Sequence, residues 1–191
     1  MTREATILRE TAETRIEVTV NLDGAGQTEI ATGIGFFDHM LCAFARHGRF
    51  DLKVSVRGDL HVDGHHTVED TGIVLGQALN RALGDRKGLR RFASACIPMD
   101  EALCFTVLDF SNRPFLVFDM PQPMIGTYDP CLTEEFLRAL AVNSGLTLHM
   151  KCLYGKNAHH ITEALFKSLG AAVKEAVQIT GTGVTSTKGV L

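Results

Sequence analysis

The feature that most constrains this chain is a duplicated element, His65-His66-Thr67-Val68-Glu69 and His159-His160-Ile161-Thr162-Glu163. In each copy, two adjacent histidines precede a glutamate by four and three residues. On an α-helix those offsets put all three side chains near one surface. Imidazole and carboxylate are good ligands for Mn, Fe, Co, Ni and Zn. Adjacent helical residues diverge by about 100° around the axis, so one small ion would take both histidines of a pair only by distorting that turn. Two ions, each sharing ligands from both copies, satisfy the geometry better. A single copy could be no more than the polar first turn of a helix; two copies in matching slots argue against that. The His-Glu-x-x-His spacing of zinc proteases, with its built-in general base, is absent. Of the remaining histidines, His47 and His61 are weaker candidates. His149, inside an alternating segment, reads as a packed structural residue.

Both copies open the longer helix of a repeated pattern. Residues 15–22 alternate polar and apolar as a half-buried strand should, 23–26 form a turn, and 28–32 read as a short return strand. An amphipathic helix is predicted over 36–47, a strand over 50–56 and a longer helix from 65 to 83, closed by Gly84. The second half predicts strands at 102–110 and 114–120, a proline-rich loop over 121–130 and a helix at 133–142. A strand at 146–153 and a long helix from 159 to 179 follow. Asp38-His39-Met40-Leu41 aligns with Glu134-Glu135-Phe136-Leu137, and the two His-His elements align with one residue inserted near Lys156. This predicts a single α+β domain of two βαβα-type halves, about 1–88 and 89–191, facing each other across a pseudo-twofold.

Composition narrows the function classes. Of 191 residues 45% are hydrophobic and 21% charged, which suits one substantial domain. A formal charge of −3 offers no basic field to nucleic acid or an anionic membrane. No apolar run approaches the roughly 20 residues of a membrane span, and the first residues lack the apolar stretch of a secretory signal. Five scattered cysteines, never spaced as Cys-x-x-Cys, fit reduced thiols in a cytoplasm. All five are read as structural.

Several separated motifs then agree with one family. Gly35-Phe36-Phe37-Asp38-His39-Met40-Leu41, His65-His66-Thr67-Val68-Glu69-Asp70, Pro98-Met99-Asp100-Glu101, Gly155-Lys156-Asn157-Ala158-His159-His160 and Ser186-Thr187-Lys188-Gly189 closely resemble imidazoleglycerol-phosphate dehydratases, in order along the whole chain. The resemblance implies a fold like the second domain of ribosomal protein S5, duplicated, with helices packed on one face of each sheet. It implies a lyase of histidine biosynthesis using two Mn2+ per active site, and a 24-subunit homo-oligomer with its active sites at subunit contacts. The implied metal ligands are His39, His65, His66, Glu69, His159, His160 and Glu163. The family's eighth ligand is a histidine where this chain has Glu135, a carboxylate that can still coordinate.

The same resemblance implies the chemistry. An imidazole ring held between two cations favours its imidazolate form, which can expel the side-chain hydroxyl to give a diazafulvene-like intermediate. A base must take the carbon-bound proton. Glu13 matches that acid–base position, and Glu163 is counted with it as catalytic. His47 joins Glu13 among the substrate-binding positions, while Arg91, Arg113, Lys167, Ser186 and Lys188 match the phosphate-contacting ones. Two rival readings stay open: another dinuclear enzyme such as a hydrolase, and a non-catalytic shell in which the elements only staple subunits.

Overall fold

Apolar residues at every second position give each sheet one inner face. Ile16, Val18 and Val20 are fully buried along β2, and Leu52 and Val54 face the same side of β4. A computed structural model describes residues 3–121 and 124–191; Met1 and Thr2 of the N-terminal segment, and Gln122 and Pro123 of the expected loop, lie outside the described residues. The elements are β1 (Glu4–Glu10), β2 (Thr14–Asn21), β3 (Thr28–Ala31), α1 (Gly35–Gly48), β4 (Asp51–Gly58) and α2 (His65–Leu83). The same order follows in β5 (Phe92–Met99), β6 (Ala102–Asp109), β7 (Phe115–Asp119), α3 (Cys131–Ser144), β8 (Thr147–Tyr154) and α4 (Ala158–Ala176). The strands form two four-stranded sheets, ordered β1-β2-β4-β3 and β5-β6-β8-β7. Helices α1 and α2 cover the first sheet, α3 and α4 the second, and α1 packs on α4 while α2 packs on α3. The architecture is the duplicated α+β arrangement that the sequence predicts.

Three expectations need correction, and two strands are new. β3 does not return along β2; it runs parallel to β4, since the intervening α1 carries the chain back to the same end of the sheet. β1 and β5 were not anticipated, because both are edge strands on which little faces the core: Ala5 is the one buried residue of β1, and β5 has none. The last helix ends at Ala176 rather than 179, where Gln178 turns to accept a bond from the Arg90 amide at 2.8 Å. His149 is exposed, not packed, because the strand period sends Leu148 and Met150 inward and His149 outward.

The two halves meet through aromatic rings and very close helix contacts. Phe136 of α3 stands edge-on to Phe37 of α1 at 5.2 Å and stacks on Phe166 of α4 at 5.7 Å. Such pairs add about 0.5–1.5 kcal/mol each beyond burial. A Cβ on Gly170 of α4 would lie 2.3 Å from the Phe44 carbonyl oxygen and 2.9 Å from the Gly48 amide of α1. A Cβ on Gly76 of α2 would lie 2.8 Å from the Leu140 oxygen and 3.1 Å from the Ser144 amide of α3. Both obstacles are backbone, which no side-chain rotation relieves. Gly170→Ala is therefore expected to lower the urea midpoint of unfolding by the equivalent of about 1–3 kcal/mol. Gly181→Ala, with nothing within 4 Å of the added atom, serves as the control; equal midpoints would contradict this account of the helix contact.

Candidate active site

A side chain just ahead of each helix holds its His-His pair on the first turn: Asn157 as the N-cap of α4, Asp63 one residue before the Gly64 N-cap of α2. Asn157 accepts from the amides of His159 (2.9 Å) and His160 (3.4 Å), and Asp63 accepts from the His65 amide at 2.7 Å. The rings of a pair diverge as helical geometry requires: 6.1 Å and 89° between His65 and His66, 6.3 Å and 83° between His159 and His160.

The close packing of α1 on α4 brings three donors together. His39 Nε2 and His159 Nε2 each lie 3.2 Å from Glu163 Oε2, and ligand atoms of the three residues all fall within 4.8 Å of one another. Among the described residues this is the one group of His, Cys, Asp or Glu so arranged. Two imidazoles and a carboxylate at this spacing suit a divalent first-row ion. Lys167 Nζ reaches Glu163 Oε1 at 2.7 Å. Burial pushes the Glu163 carboxyl up, but hydrogen bonds from Lys167 and His39 outweigh it and hold the acid below its ordinary range. Lys167 thus sits with the metal-type donors rather than with the other phosphate candidates. His47, two turns along α1 from His39, has its basicity lowered by burial and by the charge of Lys167.

The counterparts on α2 and α3 are less closely gathered. His65 Nε2 stands 3.5 Å from Glu69 Oε2, and Glu135 Oε2 stands 3.8 Å from Arg138 Nε. Among the described residues no hydrogen bond or ion pair joins one His-His element to the other. Phe36 packs edge-on against His159 at 5.2 Å and lines a cavity of about 460 Å³ that reaches Gly64, next to His65.

His66 and His160 each have a carboxylate that sequence reasoning did not assign. His66 Nδ1 meets Asp59 Oδ2 at 2.9 Å, and His160 Nδ1 meets Glu101 Oε2 at 2.7 Å. Glu101 also accepts the amides of Lys156 (3.0 Å) and Asn157 (2.7 Å). An occupied Nδ1 fixes the tautomer and leaves Nε2 free to ligate. Neither carboxylate belongs to a His-His element, so no local spacing could have revealed them. Glu13 Oε1 lies 3.8 Å from His66 Nε2, which puts the expected acid–base residue beside this imidazole.

A second cavity, about 450 Å³, is lined by Arg91, Arg113, Ser186 and Lys188 with Phe92, so four of the five phosphate candidates converge. Arg91 is already engaged: it grips Asp109 through Nε (2.6 Å) and Nη2 (3.0 Å), and donates to the Thr185 carbonyl at 2.5 Å. It anchors the C-terminal segment that carries Ser186 and Lys188.

The Glu101 hydrogen bond raises the His160 pKa above the ordinary histidine value, and Glu101 itself is held down to about 2. In an NMR titration of the chelator-stripped protein, His160 should stay protonated to a higher pH than a free histidine. Glu101→Gln should bring its midpoint down, because the neutral amide no longer favours the imidazolium. An unmoved midpoint would contradict the pairing.

A family model described as imidazoleglycerol-phosphate dehydratase matches residues 32–173. A relative from Ruminiclostridium cellulolyticum bearing that name is 53% identical over 193 residues, covering 99% of this chain and all of its own length. The crystal structure of the Staphylococcus aureus imidazoleglycerol-phosphate dehydratase superposes with a TM-score of 0.84 at 36% identity, covering 93% of this chain and 99% of that one. A Pyrococcus furiosus structure, described as IGPD in complex with (S)-C348, gives 0.85 at 39%, covering 97% and 100%. Fold, donor set and these likenesses agree, and the chain belongs to the imidazoleglycerol-phosphate dehydratase family.

Proposed function

We propose that this chain is a manganese-dependent hydro-lyase of histidine biosynthesis, converting imidazole glycerol phosphate to imidazole acetol phosphate. The observation that carries the reading is the convergence of His39, His159 and Glu163 at the head of a duplicated helix, in a chain of this family. His39, His159 and Glu163 would hold one ion; His65, Glu69 and Glu135 would supply donors for a second, with His66 and His160 each able to add its Nε2. When bound, the ions would supply positive charge that favours the imidazolate form of the substrate ring and so eases loss of the side-chain hydroxyl.

The protein's own groups do the rest. Asp59 and Glu101 keep His66 and His160 oriented with Nε2 outward. Glu13, beside His66, takes the carbon-bound proton. Lys167 keeps Glu163 ionised as a carboxylate, within the same set. Arg113, Ser186 and Lys188 hold the phosphate, in a wall that Arg91 braces through Asp109.

The spacing of these parts supports self-association. Phe92, which lines the basic cavity, and Met99, whose sulfur lies 3.6 Å from Lys167 Nζ, are the two ends of β5. Seven residue steps of strand span roughly 23 Å, too far for one small phosphorylated imidazole to bridge. On this reading a second copy brings its basic cavity to the donors of the first, in keeping with a 24-subunit shell. Among the described residues no helix is long and apolar enough to cross a membrane, and free Cys42, Cys96, Cys104 and Cys152 suit a reducing cytoplasm.

With Mn2+, purified protein should turn over imidazole glycerol phosphate, and a chelator should abolish this; activity that survives exhaustive chelation would sink the proposal. Glu13→Gln should retain Mn2+ and assembly but lose about 100-fold or more in kcat, and near-normal turnover would remove Glu13 from the mechanism. Lys188→Ala should raise KM roughly 10-fold or more with kcat little changed, whereas an unchanged KM would take Lys188 out of the phosphate site.

A further inference from the structure

The two helix pairs share one packing register, and that register locates Glu135. In α4, the glycine eleven residues after the first histidine of its pair, Gly170, sits against the carbonyl five residues past His39 and the amide nine residues past it. In α2, the glycine eleven residues after His65, Gly76, sits against the carbonyl five residues past Glu135 and the amide nine residues past it. A backbone-on-backbone contact of this kind fixes the axial offset of one helix against the other. Position 135 therefore stands to His65 and Glu69 as His39 stands to His159 and Glu163.

The two donor sets occupy equivalent places but differ in chemistry. The α1–α4 set holds two imidazoles and one carboxylate, and that carboxylate already has Lys167 at 2.7 Å. The α2–α3 set holds one imidazole and two carboxylates, with Arg138 3.8 Å from Glu135. Glu135 is partly exposed, so its carboxylate can turn between Arg138 and an ion without unpacking the core. Imidazole discriminates steeply in favour of later first-row ions such as Zn2+, whereas carboxylate oxygen suits Mn2+ and Mg2+.

We infer that the two ion sites of this chain are unequal, Glu135 making the α2–α3 site an oxygen-rich one that favours hard divalent cations while the α1–α4 site takes Zn2+ more strongly. This rests on the two-ion reading above and adds to it the selectivity of each site.

The test is a calorimetric titration of chelator-stripped full-length protein with Zn2+ and, separately, Mn2+. Two Zn2+ steps should differ in affinity by about tenfold or more, and the Mn2+ steps should lie closer together. In Glu135→His the two Zn2+ steps should converge. Glu135→Gln, a change at a partly exposed position, should weaken only the second step. Anomalous scattering from crystals soaked in equimolar Mn2+ and Zn2+ should find zinc concentrated between His39, His159 and Glu163. Equal Zn2+ steps in the parent protein, or zinc shared evenly between the sites, would overturn the inference and leave the two-ion reading standing. A protein that binds no second ion at all would overturn both.

Discussion

Two helix pairs pressed together at glycines are the constraint on which the rest of the structure depends. At Gly170 and Gly76 the backbone of one helix lies directly against the backbone of its partner, and any Cβ would collide with a carbonyl oxygen. Leucine or valine at these points would push the axes apart toward ordinary interaxial distances. His39 and Glu163, on different helices and 3.2 Å apart, would then lose contact. The donor set follows from that spacing more than from any feature of the loops around it.

Electrostatics then tune what packing has placed. Each histidine that faces away from its partner has a carboxylate behind it, Asp59 for His66 and Glu101 for His160, although the two carboxylates come from unrelated points in the chain. The arrangement orients an imidazole by its rear nitrogen and leaves the forward one available. Glu163 is balanced from the opposite direction, by a lysine one turn further along its own helix. The halves thus share a scaffold without sharing every charge: the position corresponding to Lys167 in α2 is Ile73, and the one corresponding to Arg138 in α1 is Cys42. The two halves share the helix register while the side chains around the two donor sets differ, which is how one fold can offer two chemically distinct sets of donors.

Much of this was legible in the sequence, and the parts that were not have a common cause. The helices carrying His65 and His159, the duplication, and the pairing of position 39 with position 135 all follow from spacing within short segments. The edge strands β1 and β5 were missed because nearly every residue on them is at least partly exposed, so the alternation carries little apolar contrast. β3 reads from sequence as a short return strand, since nothing within Thr28–Ala31 says which neighbour it will pair with. His149 was misjudged because period-two alternation identifies a strand without saying which face meets the core.

The sequence by itself determined that two histidine pairs would each open a helix with a glutamate one turn on, because helical periodicity is a local property of consecutive residues. Only the tertiary structure decided that His39 joins His159 and Glu163, that Asp59 and Glu101 back the outer imidazoles, and that Arg91 braces the C-terminal segment through Asp109. Those contacts join residues far apart in the chain. Their geometry is set by how closely helices and sheets pack, and no spacing within a single segment encodes that distance.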